Sequence, residues 1–216
     1  DHAPAFANLA RLYEAVGQWS KVIESLTREL DVHDSQAQGT DRRGQEQARA
    51  IRRRIGAIFE KELELPERAI EAYGAVHDAD AGDDEAAAAL ERLYEKLGRW
   101  KELEALLARR SDHGNRETKV ALLERRAALM TDRIGDHAGA AAALRQLRKM
   151  HPEDDANPAR LERALGRGER VDEQAEVLRT RIRAAKRANA SKDELARMHV
   201  ELGTLEAQLD DAALAE

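Results

Sequence analysis

Two stretches of this chain can be laid over each other. Residues 9–28 (LARLYEAVGQWSKVIESLTR) and 90–109 (LERLYEKLGRWKELEALLAR) share Leu9/Leu90, Arg11/Arg92, Leu12/Leu93, Tyr13/Tyr94, Glu14/Glu95, Gly17/Gly98, Trp19/Trp100, Leu26/Leu107 and Arg28/Arg109 at a separation of 81. A second register, at 71, pairs Ala50/Ala121, Arg54/Arg125, Ala57/Ala128, Ala69/Ala140, Asp83/Asp154, Asp84/Asp155, Leu90/Leu161, Glu91/Glu162 and Arg92/Arg163. A chain made of copies must bury the apolar face of each copy against its neighbour, so the repeat restricts the fold before any single element is read.

Each copy reads as two helices. Phe6, Leu9, Ala10 and Tyr13 recur at i, i+3, i+4 and i+7, one face of a 3.6-residue period. Gly17 supplies a residue able to take positive φ at the turn, and a second stripe follows at Val22, Ile23, Leu26 and Leu30. The pattern returns as Ile55, Gly56 and Phe59, a break at Leu65-Pro66, then Ala69, Ile70, Tyr73 and Val76. Pro66 suits the first turn of a helix, where its missing N–H has no partner to lose. Further copies surround Gly98 and Gly135, and a degraded one turns near Gly166 to Gly168.

This order resembles the tetratricopeptide repeat family, in a divergent, bacterial-type form. The family pattern is a large apolar residue, Leu, a small residue and an aromatic, then a turn Gly, then Ala, an aromatic or Leu and Ala, and a closing Pro. Phe6, Leu9, Ala10, Tyr13, Gly17, Val22 and Leu26 follow it in the first copy. Ile55, Gly56, Phe59, Pro66, Ala69 and Tyr73 follow it in the second, with one extra residue in the turn. Departures are Glu91 in place of the small residue, Arg126 in place of the Leu, and Trp19 and Trp100 beyond the turns.

The resemblance implies an all-α fold, a right-handed α-solenoid of stacked antiparallel helix pairs. The expected organisation is one solenoid segment over 1–216, with units at 3–33, 48–82, 84–113, 117–153 and 155–190 and a partial unit at 191–216. Residues 34–47 are a polar insertion between the first two units, and residues 171–186 carry no helix breaker. Asn189 and Ser191 are placed to end one helix and cap the next. Residues 1–4 read like the tail of an earlier copy, and Leu209-Asp210-Asp211 resembles Ile134-Gly135-Asp136, so the expectation is a segment of a longer array.

Composition bears mainly on chemistry. Without Cys there is neither a thiolate metal site nor a cysteine nucleophile, and no apolar run approaches the roughly 20 residues that span a bilayer. Membrane insertion is therefore not expected. His33, His77, His113 and His151 fall near the ends of successive second helices, where a cation or donor meets unpaired carbonyls, a phase that argues against metal ligation. Asp83-Asp84 and Glu153-Asp154-Asp155 precede helices and read as caps. Gly166-Arg167-Gly168 lacks the strand and the Lys-Ser/Thr of a phosphate loop. No cofactor and no catalysis are expected.

From the resemblance, the exposed residues of the first helices face a concave wall: Arg11 and Glu14, Arg53 and Glu60, Arg92 and Glu95, Glu124, and Arg163. These are the candidate sites for a protein or peptide partner, and the recurring Arg and Glu three residues apart could equally be ion pairs along one helix. The expected function is a non-catalytic scaffold or adaptor. A structural spacer is one alternative. Another is anion or nucleic-acid binding through Arg42, Arg43, Arg49, Arg52, Arg53 and Arg54, or through Arg179, Arg181, Arg183, Lys186 and Arg187. The net charge of −6 and the absence of interleaved aromatics weigh against a nucleic acid. All seven aromatics precede residue 101, so the amino-terminal half is expected to pack the better.

Overall fold

The computed structural model describes residues 3–36, 42–151, 157–168 and 170–214, and among them every regular element is helical. They divide into two compact units, Asp1–Arg99 and Trp100–Glu216.

The amino-terminal unit holds α1 (Ala3–Ala15), α2 (Trp19–Gln36), α3 (Arg42–Lys61), α4 (Pro66–Ala79) and α5 (Asp84–Leu97). Each helix packs on the next, as short turns between amphipathic helices require. Gly17 has φ +68°, and the turn is closed by Gly17 N–H donating to the Glu14 carbonyl at 3.0 Å and Gln18 N–H to Tyr13 at 2.9 Å. Gly98, at φ +67°, repeats the arrangement through Glu95 and Tyr94. This paired closure satisfies carbonyls that the helix end would otherwise leave unbonded, and a side chain there would be strained. The second pair has no such glycine, and Glu64 takes the left-handed conformation at φ +53°.

Apolar side chains join these helices. Ala10, Val22, Leu26, Ile51, Ile55 and Ile58 form a buried cluster, with Tyr13, Trp19, Ile23, Leu30 and Phe59 packed against it. Gly56 of α3 faces the Tyr73 ring of α4. A Cβ at Gly56 would lie 3.0 Å from three ring carbons of Tyr73. Burial first, and the charge of Glu60 second, push the Tyr73 phenol up to about 12. Leu9, expected on the buried stripe, is 40% exposed.

The polar stretch is shorter than the sequence suggests. α2 runs to Gln36 and α3 already starts at Arg42, because Glu46 on that extra turn reaches both Arg49 and Arg53 of the same helix. Such pairs at helical spacing favour extending the helix.

The carboxyl-terminal unit holds α6 (Trp100–His113), α7 (Arg116–Leu129), a π-helical turn (Met130–Ile134), α8 (His137–Met150), α9 (Asn157–Arg167), α10 (Val171–Arg187) and α11 (Lys192–Leu214). Caps define its starts. Asn115 accepts from Thr118 N–H at 2.9 Å, Asp136 from Gly139 N–H at 2.8 Å, and Ser191 Oγ from Glu194 N–H at 3.2 Å after Asn189 turns the chain at φ +55°. Asp83 does the same for α5, accepting from Ala86 at 2.9 Å, whereas residues 153–155 lie outside the described residues.

The buried cluster shared by α7, α8 and α9 contains no aromatic residue among the described residues. Leu123 and Ala127 of α7, Ala140, Leu144 and Leu147 of α8, and Leu161, Ala164 and Leu165 of α9 are each at most 4% exposed. Small residues on facing helices allow that closeness, so the aliphatic half is packed without the large anchors of the other unit. Farther along, Ala175, Leu178 and Ile182 of α10 meet Leu205 of α11. Trp100 is half-buried, with the Arg133 guanidinium 5.1 Å from its ring centre.

Candidate functional site

The first helices of the pairs are α1, α3, α5, α7, α9 and α11, and the expected partner-binding residues are spread over five of them. In the amino-terminal unit their charges meet across helices. Glu14 of α1 accepts from Arg54 of α3. Glu60 of α3 accepts from Arg92 of α5 through both carboxylate oxygens, at 3.0 Å from Nε and 2.8 Å from Nη2. Arg53 of α3 pairs with Asp83, the residue that caps α5, and lies 3.4 Å from Glu85.

Glu14 and Glu60 occupy equivalent positions, each following the aromatic of its helix, and each receives an arginine from the next first helix. Periodicity points instead to neighbours three residues apart on one helix. Arg11 remains exposed on α1, and Glu95 is exposed on α5. Burial raises the Glu29 carboxyl on α2 above the ordinary glutamate range, with His33, Arg54 and Arg11 partly opposing the shift.

The Glu60–Arg92 pair is partly screened, with Arg92 55% and Glu60 13% exposed. Arg92→Glu sets two carboxylates face to face and is expected to destabilise the unit by about 1 kcal/mol. Adding Glu60→Arg should restore most of that loss, as a double-mutant cycle by urea denaturation would measure. Purely additive effects would show that the two side chains do not interact.

Both arginine-rich clusters are tied to carboxylates at several positions. Arg49 pairs with Asp80 and Glu46, Arg179 with Glu206 at 2.8 Å, and Arg181 with Glu162. Glu162 occupies the small-residue position of α9, as Glu91 does on α5, and both are buried. Burial raises the Glu162 carboxyl above the ordinary range. Arg181 opposes the shift, and Glu201 of α11 adds to it.

A carboxyl whose folded value exceeds its unfolded one contributes stability that is present in acid and lost as pH rises through the folded value. Glu162 is accordingly expected to titrate, by carbon-detected NMR, with a midpoint above the ordinary glutamate range. A midpoint within or below that range would contradict its buried placement.

The carboxyl-terminal unit has a different arrangement on its first helices. A groove of about 590 Å³ runs between α7 and α9. Ala128, Leu144 and Ala164 contribute its apolar lining. Among the described residues its charged lining is Arg125, Arg160, Arg163 and Arg167 with Glu124 and Asp132. Arg160 stands 4.0 Å from Glu124, at the limit of an ion pair, and both are nearly half exposed. Arg163 donates weakly to the Ala159 carbonyl of its own helix at 3.4 Å.

Of the residues anticipated from the sequence, Glu124 and Arg163 come together here, while Arg53, Glu60 and Arg92 lie in the amino-terminal network. Arg160, Arg163 and Arg167 fall at i, i+3 and i+7 of α9, a basic stripe that the sequence displays but that means little until α7 is seen opposite it. Arg126, standing where the family has Leu, is accommodated by Glu104 of α6 at 2.6 and 2.9 Å.

His33 and His77 lie in the last turns of α2 and α4, His113 ends α6, and His151 caps α8. Among the described residues no three His, Asp or Glu side chains converge as metal ligands would. Among them also, no helix is long and apolar enough to cross a membrane.

The tetratricopeptide repeat family model matches residues 5–38 and 86–133. Solved structures with a similar arrangement include the MamA protein, at 14% identity over 85% of this chain and 92% of that one, TM-score 0.42. MamA of Desulfovibrio magneticus RS-1 matches at 13% over 97% and 98%, TM-score 0.40. A tetratricopeptide repeat protein of Parabacteroides merdae matches at 12% over 98% and 76%, TM-score 0.43. No curated protein matches the chain by sequence.

Proposed function

We propose that this chain, whose residues 5–38 and 86–133 match the tetratricopeptide repeat family model, is a non-catalytic protein-interaction scaffold whose α7–α9 groove holds an acidic, extended segment of a partner. The observation that carries this reading is the cationic surplus of that groove among the described residues, four arginines against two carboxylates around a lining that includes alanine and leucine. Arginine suits the task because its planar fork can grip a carboxylate with two parallel hydrogen bonds. The apolar lining would take the small or aliphatic side chains between acidic ones, so charge would set the register of the bound segment.

The pairing in the other unit supports the same choice of groove. Arg53, Arg54 and Arg92 already have carboxylate partners, so a ligand must displace those before it gains anything. Similar pairing of Arg49, Arg179 and Arg181 lowers the field that either basic cluster could offer to nucleic-acid phosphate.

A labelled peptide of alternating Glu and Leu tests the proposal by fluorescence anisotropy. Reversing Arg160 and Arg163 together to Glu should weaken binding by roughly tenfold or more, and added salt should weaken the wild-type complex. Reversing Arg28 on the exposed face of α2 should leave binding unchanged. Equal affinity of the wild type and the Arg160/Arg163 double reversal would overturn the reading in favour of a spacer or another surface.

A further inference from the structure

The groove between α7 and α9 has a filled counterpart earlier in the chain. In the 71-residue register α8 (His137–Met150) corresponds to α4 (Pro66–Ala79), in step at both ends, and α9 corresponds to α5. The same register matches Arg163 to Arg92, Thr131 to Glu60, Leu144 to Tyr73 and Ala164 to Leu93. All four of the later residues line the groove, and all but the arginine are smaller than their counterparts.

What fills the space in the amino-terminal unit is an acid beside an aromatic ring. The Glu60 carboxylate accepts from Arg92 at 3.0 and 2.8 Å, and the Tyr73 hydroxyl stands 3.5 Å from the same carboxylate. In the carboxyl-terminal unit the arginine stays and its acid is gone. Thr131 instead donates its hydroxyl to the Ala127 carbonyl of its own helix at 2.8 Å. Among the described residues Arg163 has no carboxylate partner, and its side chain's one hydrogen bond is the 3.4 Å contact with the Ala159 carbonyl. Leu144 brings neither ring nor hydroxyl, and Ala164 is shorter than the buried Leu93. An arginine without its acid, next to a recess without its ring, is half of a contact whose other half a ligand can bring.

We infer, on the premise that the groove holds an acidic segment, that this segment carries an aromatic side chain two residues from the acid that binds Arg163. The partner then supplies what Glu60 and Tyr73 supply within the chain. Two residues is the spacing at which side chains of an extended segment point to the same side, about 7 Å apart. The ring rests over Leu144 and Ala164 and not in the place that Tyr73 takes, because Ala127 carries the Cβ that Gly56 lacks, and such a Cβ crowds a ring seated there. Arginine improves the seat, since a guanidinium is attracted to an aromatic face. This chain already sets Arg99 5.3 Å from the Tyr94 ring centre and Arg133 5.1 Å from that of Trp100. Small or aliphatic side chains keep the remaining positions between the acids.

Competition against the labelled Glu/Leu peptide, followed by fluorescence anisotropy, tests this. One central glutamate of that peptide is replaced either by tyrosine or by leucine, so that the two competitors are equal in charge. The tyrosine peptide should bind the wild-type chain at least about fivefold tighter than the leucine peptide. Moving the tyrosine to a neighbouring leucine position, on the opposite side of the extended segment, should remove the advantage. Leu144→Tyr combined with Ala127→Gly rebuilds the filled arrangement and leaves every arginine in place. In that variant, with circular dichroism confirming the fold, the two peptides should bind equally while the parent Glu/Leu peptide still binds. Equal affinity of the two peptides for the wild type, or an advantage that survives in the double variant, would overturn the inference and leave the acidic-segment reading standing. If no acidic peptide binds the wild type, both fall. The wild-type comparison decides by itself if the variant does not fold.

Discussion

Replacing Gly56 with valine is expected to destabilise the amino-terminal unit by about 3 kcal/mol, the upper end of what overpacking a core costs. The cause is local and steric. The first carbon of any side chain at Gly56 would meet the Tyr73 ring at 3.0 Å, and the two methyl groups of valine extend beyond that carbon. Tyr73 has little room to retreat, being 5% exposed. Gly56→Ala sets a smaller clash against the roughly 1 kcal/mol that alanine gains over glycine in a helix interior, so it should come out near neutral or mildly destabilising. Urea denaturation followed by circular dichroism checks both, through a lower midpoint at unchanged slope for valine. A valine variant with the wild-type midpoint would mean that α3 and α4 do not approach at Gly56.

Leu93→Ala and Leu12→Ala form the second comparison, at equivalent positions of two copies. Leu93 is fully buried on α5, and its truncation should cost about 2–5 kcal/mol through lost burial and the cavity left behind. Leu12 is 66% exposed, and the same truncation should stay within about 0.5 kcal/mol of wild type. Equal costs for the two would contradict the different surroundings of α1 and α5.

That comparison also shows where sequence reasoning stops. Period and spacing place Leu12 and Leu93 at the same position and identify the helix pairs, their turn glycines and the Ser191 cap. They do not say what lies over a stripe, which depends on a neighbouring helix. Leu9 was expected to be buried for the same reason. The charged residues follow the same logic. Arg11 and Glu14, or Arg92 and Glu95, suggest pairs along one helix because only neighbours three or four apart are visible in a sequence. The folded chain instead joins Glu14 to Arg54 and Glu60 to Arg92, 40 and 32 residues away.

The groove was half legible. Glu124 and Arg163 followed from the expected wall of first helices, but Arg160 and Arg167 acquire meaning only when α9 lies beside α7. The start of α3 was placed late because residues 42–47 look like a polar linker, and the side chains that extend the helix, Glu46 with Arg49 and Arg53, are the same ones that make the segment polar.

The most direct test of the scaffold reading is a selection from a displayed library of random peptides, run in parallel on the wild-type chain and on the Arg160→Glu, Arg163→Glu double variant. The account predicts that the wild type enriches Asp- and Glu-rich sequences with small aliphatic residues between the acids, and that the variant loses them. Enrichment of the same sequences by both chains, or of sequences without acidic residues, would contradict it.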